Sequence, residues 1–247
     1  MDKIIKISLG LFIFILIAFT SVVAYQVAVE SAYLNSLSST YSYSCTITTD
    51  SKLSNVTLFI PVPADPLGNS PVVAGFSERD ITGLPDDWTV TLYDTGKATM
   101  ARIVTPAIIP PAGTSAANPF TLTISSEMQS DTVINTRDPI NNSAMFHPVR
   151  DLQPVTCPMA GSPGKESPQC YHYITSLYAD YETAPDASVN ITSTIIGRNS
   201  WKIFEPGSNE YTAATSLHMT GSRDGWEIMT GTLTSGTGTY DTPLPSA

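Results

Sequence analysis

Residues 188–234 read SVNITSTIIGRNSWKIFEPGSNEYTAATSLHMTGSRDGWEIMTGTLT. Val, Ile, Tyr and Thr alternate there with small polar residues at a period of two, the signature of half-buried strands. The pattern predicts strands at Ser188 to Ile196, Trp201 to Phe204, Tyr211 to Met219 and Trp226 to Thr234. Gly197-Arg-Asn, Pro206-Gly-Ser-Asn and Arg223-Asp-Gly supply turn residues between them. A meander of this kind needs further strands to cover its apolar face.

The same alternation recurs upstream. Tyr41, Tyr43, Cys45 and Ile47 share one face of a strand ending at Thr49, and Asp50-Ser-Lys turns into Asn55 to Ile60. Pro61 and Pro63 stop that strand, because proline cannot donate to a ladder. Trp88 to Tyr93 and Met100 to Val104 flank Asp94-Thr-Gly-Lys97 as a hairpin, and Phe120 to Ser126 and Tyr171 to Tyr181 are further strands. No window after Leu37 has a helical period. About ten short strands predict an all-β domain, an antiparallel β-sandwich with Greek-key or jelly-roll-like connections. Its expected limits are 40–235, with a polar tether at 32–39 and a mobile tail at 236–247. The proline-bearing stretch Asp138 to Pro168 reads as a long ordered loop, or alternatively as a domain boundary.

Residues 1–31 form the other part of the chain. Leu9 to Val29 is an apolar run interrupted by Tyr25 and Gln26, and 21 helical residues rise about 31 Å, enough to cross a bilayer. Lys3 and Lys6 precede it and Glu30 follows, so the positive-inside bias puts the N-terminus in the cytoplasm and the domain outside. A signal peptide cut after Ala24 competes with a retained anchor. Apolar character continuing to Val29 favours the anchor.

Composition fits export. The 247 residues are only 14 % charged, the formal net charge is −10, and Ser plus Thr make up roughly a quarter of the chain. Twelve Lys and Arg against 22 acids exclude a nucleic-acid binder. Asn55, Asn141 and Asn190 each open an Asn-x-Ser/Thr glycosylation pattern. Cys157 and Cys170 bracket a Pro/Gly-rich loop and are expected to form a disulfide; Cys45, in phase with the core residues, is expected to be a buried thiol.

Patterns that carry chemistry are sparse. His147, His172 and His218 are far apart and lack partners at ligand spacing, so no metal or cofactor is expected. Gly161-Ser-Pro-Gly-Lys165 has Glu166 where a phosphate loop needs Ser or Thr. Leu92-Tyr-Asp-Thr-Gly96 with Ile195-Ile-Gly-Arg-Asn199 resembles the paired segments of retroviral aspartic proteases. In that chemistry two Asp residues share one proton, so a single Asp-Thr-Gly would need a symmetric dimer around Asp94. Lys97 stands where those enzymes have a small residue, and a turn between two strands explains Asp94 equally well. Tyr171, Tyr173, Tyr181, Trp201, Tyr211 and Trp226 are either core and cross-strand packing or a platform for sugar rings.

The chain also resembles an uncharacterised set of archaeal exported proteins, notably of methanogens. The resemblance rests on Asn55-Val-Thr-Leu-Phe-Ile-Pro-Val-Pro63, Asp94-Thr-Gly96 ahead of Met100, Arg137-Asp-Pro139 and Gly197-Arg-Asn-Ser-Trp201. Asn209-Glu-Tyr211, Gly225-Trp226 and Gly231-Thr-Leu-Thr-Ser-Gly-Thr-Gly-Thr-Tyr240 extend it. It implies a surface protein on one N-terminal anchor and carries no activity with it. The expected function is therefore non-enzymatic: a membrane-anchored cell-surface protein for envelope structure, adhesion or assembly, with other envelope proteins as partners. A glycan- or ligand-binding module is the alternative, and a dimeric protease using Asp94 a remote one. Association between copies stays open.

Overall fold

The computed structural model describes residues 2–78, 81–96, 98–158 and 167–240. Lys97, the segment 161–165 and the tail from 241 lie outside the described residues. Helix α1 (Asp2–Ser36) is apolar on every side, and its stretch Ile5–Ser36 is long and apolar enough to cross a membrane. None of its apolar window is buried against the rest of the chain.

Beyond α1 the chain runs β1 (Ser38–Thr49), β2 (Leu53–Pro61), β3 (Pro63–Ala64), α2 (Val73–Glu78), β4 (Thr89–Asp94), β5 (Thr99–Ile108) and β6 (Phe120–Ser130). It continues through α3 (Pro139–Asn142), β7 (Met145–Phe146), β8 (Arg150–Val155), β9 (Gln169–Glu182), β10 (Ser188–Lys202), β11 (Pro206–Thr220) and β12 (Arg223–Gly238). Ten strands form one antiparallel sheet in the order β4-β5-β2-β9-β12-β11-β10-β1-β6, with β8 beside β9. β3 and β7 make a separate small pair.

This is the expected all-β antiparallel fold behind an N-terminal helix, but its layers belong to one continuous sheet. Connectivity shows how that sheet is shaped. β1 and β2 lie five strand spacings apart, about 24 Å if the sheet were flat. Only residues 50–52 join them, a link that reaches about 14 Å from Thr49 to Leu53 at most. The sheet must therefore roll over, bringing β1 opposite β2. Thr183 Oγ1 donates to the Lys52 carbonyl at 2.8 Å and the Ser188 N–H to Asp50 Oδ1 at 2.9 Å, which ties that turn to the β9–β10 connection. Thr82, in the connection leading to edge strand β4, exchanges two backbone hydrogen bonds of 2.9 Å with Ser125 of the other edge strand, β6. One cluster then fills the roll, with Ile47, Leu58, Ile103, Leu177, Ile191 and Leu233 all at most 1 % exposed.

Four sequence expectations change. None of the three expected turns is one: β10 runs straight through Gly197-Arg-Asn with unbroken in–out alternation, Pro206 to Asn209 and Arg223 to Gly225 are the paired first residues of β11 and β12, and the chain turns at residues 203–205 and 221–222. Glycine stands at 197 because its cross-strand partner Tyr211 lays a fully buried ring over it, leaving no room for a Cβ. Gly231 under Tyr173 and Gly207 under Trp201 repeat the device. Secondly, the tether at 32–39 is the last turn of α1 and the start of β1, because Tyr33 buries its ring against Trp201. Thirdly, β12 continues to Gly238, and Tyr240 stacks under the Arg137 guanidinium, so the tail begins later than 236. Fourthly, two helices do follow Leu37, α2 of six residues and α3 of four, both too short to show a period of 3.6, and α3, β7 and β8 interrupt the stretch expected to be one loop.

Cys157 and Cys170 are bonded, with Cα atoms 5.3 Å apart. Cys45 faces the core at 1 % exposure, and burial pushes its thiol up to about 11. At about pH 8 the native chain will leave Cys45 unmodified by iodoacetamide, since the thiolate is the nucleophile. Labelling will appear only with unfolding; mass spectrometry along a urea series checks this.

Candidate functional site

The two outer faces of the roll differ. Over β1, β6 and β10 the outer face is rich in Ser and Thr, and Thr46–Thr123 and Thr48–Thr121 pair across strands at 3.2 and 3.4 Å. This accounts for much of the Ser/Thr richness: cross-strand Thr pairs suit a solvated sheet face. Across β4, β2, β9 and β12 the outer face carries one aromatic from each strand, Tyr93, Phe59, Tyr178 and Trp226, with Arg102 of β5 between Tyr93 and Phe59.

Strand parity puts them there. In β9 the residues Tyr173, Leu177, Ala179 and Tyr181 point inward and are at most 1 % exposed, so Tyr178 points outward. Val56, Leu58 and Ile60 likewise fix Phe59 outward, and Met229, Gly231 and Leu233 fix Trp226 and Ile228 outward. Register then lines them up. Phe59 sits opposite Arg102 on one side and Tyr178 on the other, and Tyr178 sits opposite Trp226.

The rings make a continuous row. Phe59 meets Tyr93 at 5.8 Å and Tyr178 at 5.4 Å, both edge to face, and Tyr178 meets Trp226 at 5.7 Å. The row crosses five strands, with rings on four of them and Arg102 on β5, a width of about 19 Å. Trp226 is 57 % exposed, Tyr93 55 % and Ile228 64 %, so interdigitation within the sheet does not consume these surfaces. Arg102 lies over the Phe59 ring at 6.0 Å, and Tyr178 Oη donates to Asp224 Oδ1 at 3.3 Å. Asp180 is the register partner of Asp224 on the same face. Apolar ring surfaces bordered by a guanidinium and carboxylates suit a ligand with a flat apolar face and a hydroxylated edge.

Of the aromatics considered from sequence, only Trp226 belongs to this row. Tyr173, Tyr181, Tyr211 and Trp201 are core residues at 4 % exposure or less, and Tyr171 packs partly against that core. Phe59, Tyr93 and Tyr178 were missed. Their signal was parity: Tyr178 is out of phase with Tyr173 and Tyr181 on one strand.

Asp94 occupies the turn between β4 and β5, exposed, with Oδ1 accepting the Gly96 N–H at 2.7 Å. The Ile195–Asn199 segment does not pack beneath it along the sheet, since five strands separate β4 from β10. Asp94 does share a cleft of about 340 Å³ with Asp65 and His147. Asp65 already accepts the Leu67 N–H, the Asn69 N–H and Asn69 Nδ2 at 2.8, 2.8 and 2.9 Å. Burial holds His147 below its ordinary value, with the Ala64 backbone and Asp65 acting in the opposite direction. Among the described residues no three His, Cys, Asp or Glu side chains group as metal ligands.

The glycosylation candidates are in different settings. Asn55 is exposed where the pairing of β2 with β9 is irregular, with φ +54°, whereas Asn141 Nδ2 is engaged by the Asp138 carboxylate at 3.0 and 3.1 Å. Asn190 is half-buried on the outer face of β10. Comparison with protein-family models, curated proteins and solved structures found no match.

Proposed function

We propose that this chain is a non-enzymatic, membrane-anchored cell-surface protein that binds a glycan-like ligand on the aromatic outer face of its rolled sheet. The row Tyr93–Phe59–Tyr178–Trp226 carries the reading, because it leaves large ring surfaces in solvent on otherwise regular strands. Lys3 and Lys6 in the first turns of α1, ahead of its apolar run, support a cytoplasmic N-terminus, and the disulfide supports an oxidising compartment for the domain. Adhesion to envelope polysaccharide or to neighbouring glycoproteins is the role this chemistry fits.

The test is a glycan array probed with the full chain in detergent, followed by titration of any hit. Trp226→Ala is expected to weaken binding by about 2 kcal/mol, roughly thirtyfold, as for an aromatic hot spot. Its melting temperature should stay close to that of the native chain, because the ring is largely exposed. An array hit that binds Trp226→Ala with undiminished affinity would move the site elsewhere.

A further inference from the structure

The junction between α1 and the sheet is built rather than flexible. Tyr33 packs edge-on against Trp201 at 5.6 Å, Ser36 Oγ donates to the Lys202 carbonyl at 2.9 Å, and the Lys202 N–H returns a bond to Ser36 Oγ at 2.9 Å. The end of β10 is thereby held against the helix. Past that point the β10–β11 turn runs back along α1, and Phe204 stacks on Tyr25 with ring centroids 6.4 Å apart and planes 13° from parallel. Tyr25 lies eight residues before Tyr33, so the turn reaches about 12 Å down the helix towards its apolar part. Phe204 is 72 % exposed despite that contact.

Helix length sets the depth. α1 has 35 residues, about 52 Å, whereas a hydrocarbon core of about 30 Å takes some 20. Counting from Ile7, just after Lys6, the core ends near Gln26, which leaves Tyr25 at the outer boundary, where membrane helices concentrate Tyr and Trp. Phe204 is stacked on that residue.

We propose that the β10–β11 turn, through Phe204, enters the headgroup–acyl boundary of the lipid bilayer beside Tyr25, so that the domain is held by two points rather than one. This rests on α1 spanning the membrane. A helix alone permits rotation and tilt of what it carries; a second apolar contact at the interface removes that freedom and fixes the pose of the aromatic face.

The experiment uses the full chain in phosphatidylcholine–phosphatidylglycerol nanodiscs. Phe204→Cys is labelled with an environment-sensitive fluorophore; Cys45 is buried and Cys157 and Cys170 are bonded, so the label goes to one place. Ala112→Cys is the control, in the β5–β6 connection that leads into Phe120, whose partner Thr49 ends β1 at the side opposite the helix. Lipid bearing a nitroxide high on its acyl chain should quench the label at 204 several times more strongly than at 112. Equal quenching at both sites, with the chain retained in the discs, would overturn the turn's insertion and leave the anchor standing. Failure of the chain to enter discs would overturn both. An emission change at 204 that depends on protein concentration and not on nitroxide lipid would assign the turn to a second copy instead and refute lipid contact.

Discussion

Gly197→Val will destabilise the domain by about 3 kcal/mol, a large part of the 5–15 kcal/mol typical of a folded domain. In a strand, valine ordinarily improves on glycine by up to about 1 kcal/mol, so propensity alone predicts the opposite sign. Packing decides the outcome. A Cβ at 197 would overlap the Tyr211 ring, which is fully buried and whose hydroxyl donates to the Ala144 carbonyl at 2.6 Å. Displacing the ring costs about 1–3 kcal/mol in overpacking and strands a buried carbonyl at about 1–3 kcal/mol more. Urea unfolding in micelles measures the loss. In the double variant Gly197→Val with Tyr211→Leu, part of the loss should return, a coupling of more than about 0.5 kcal/mol. Strict additivity of the two changes would show that the Tyr211 ring is not what the new methyl groups meet.

Asn199→Ala should cost about 3–5 kcal/mol, again at a position where the sequence suggests a harmless turn. Asn199 is 2 % exposed and spends its whole side chain on buried partners. Its Oδ1 accepts from Ser39 Oγ at 2.7 Å and from the Ile134 N–H at 3.0 Å. Its Nδ2 donates to the Ile134 carbonyl and to Asn209 Oδ1, both at 2.8 Å. Thr136 Oγ1 joins through Asn209 Oδ1 at 2.9 Å, so the connection leaving β6 is pinned to the sheet by two side chains. Truncation leaves the Ile134 N–H and carbonyl without partners, and such networks fail as units. Hydrogen exchange gives the local readout: the Ile134 amide should lose protection ahead of the β10 core. An Ile134 amide that remains as protected as the β10 core in Asn199→Ala would show that the connection is held by apolar packing instead.

These two positions show where sequence reading stops. Gly-Arg-Asn after an apolar strand is a good turn signal locally, and nothing within a dozen residues contradicts it. What overrides it is Tyr211 and Ile134, reached only when β10 pairs with β11 and the β6 connection folds over the end of the sheet. The Trp201 strand was misplaced for the same reason: it is the continuation of β10, not a new element. Tyr33 likewise reads as tether until Trp201 is there to receive it.

The sequence by itself determined what depends on local periodicity and solubility. An apolar run long enough for a bilayer, strands of period two, Asp-Thr-Gly as a hairpin turn and a cysteine in phase with the core are properties of neighbouring residues, fixed before any long-range contact forms. Only the tertiary structure decided which aromatics are core and which form a row. Tyr173 and Tyr178 are alike as residues, and a strand with aromatics on both faces does not say which face is buried. The roll of the sheet buries one face of β9 and leaves the other in solvent, and the registers with β2 and β12 set Tyr178 between Phe59 and Trp226. Those partners lie far away in the chain, so the site exists only once non-local pairing has brought them side by side.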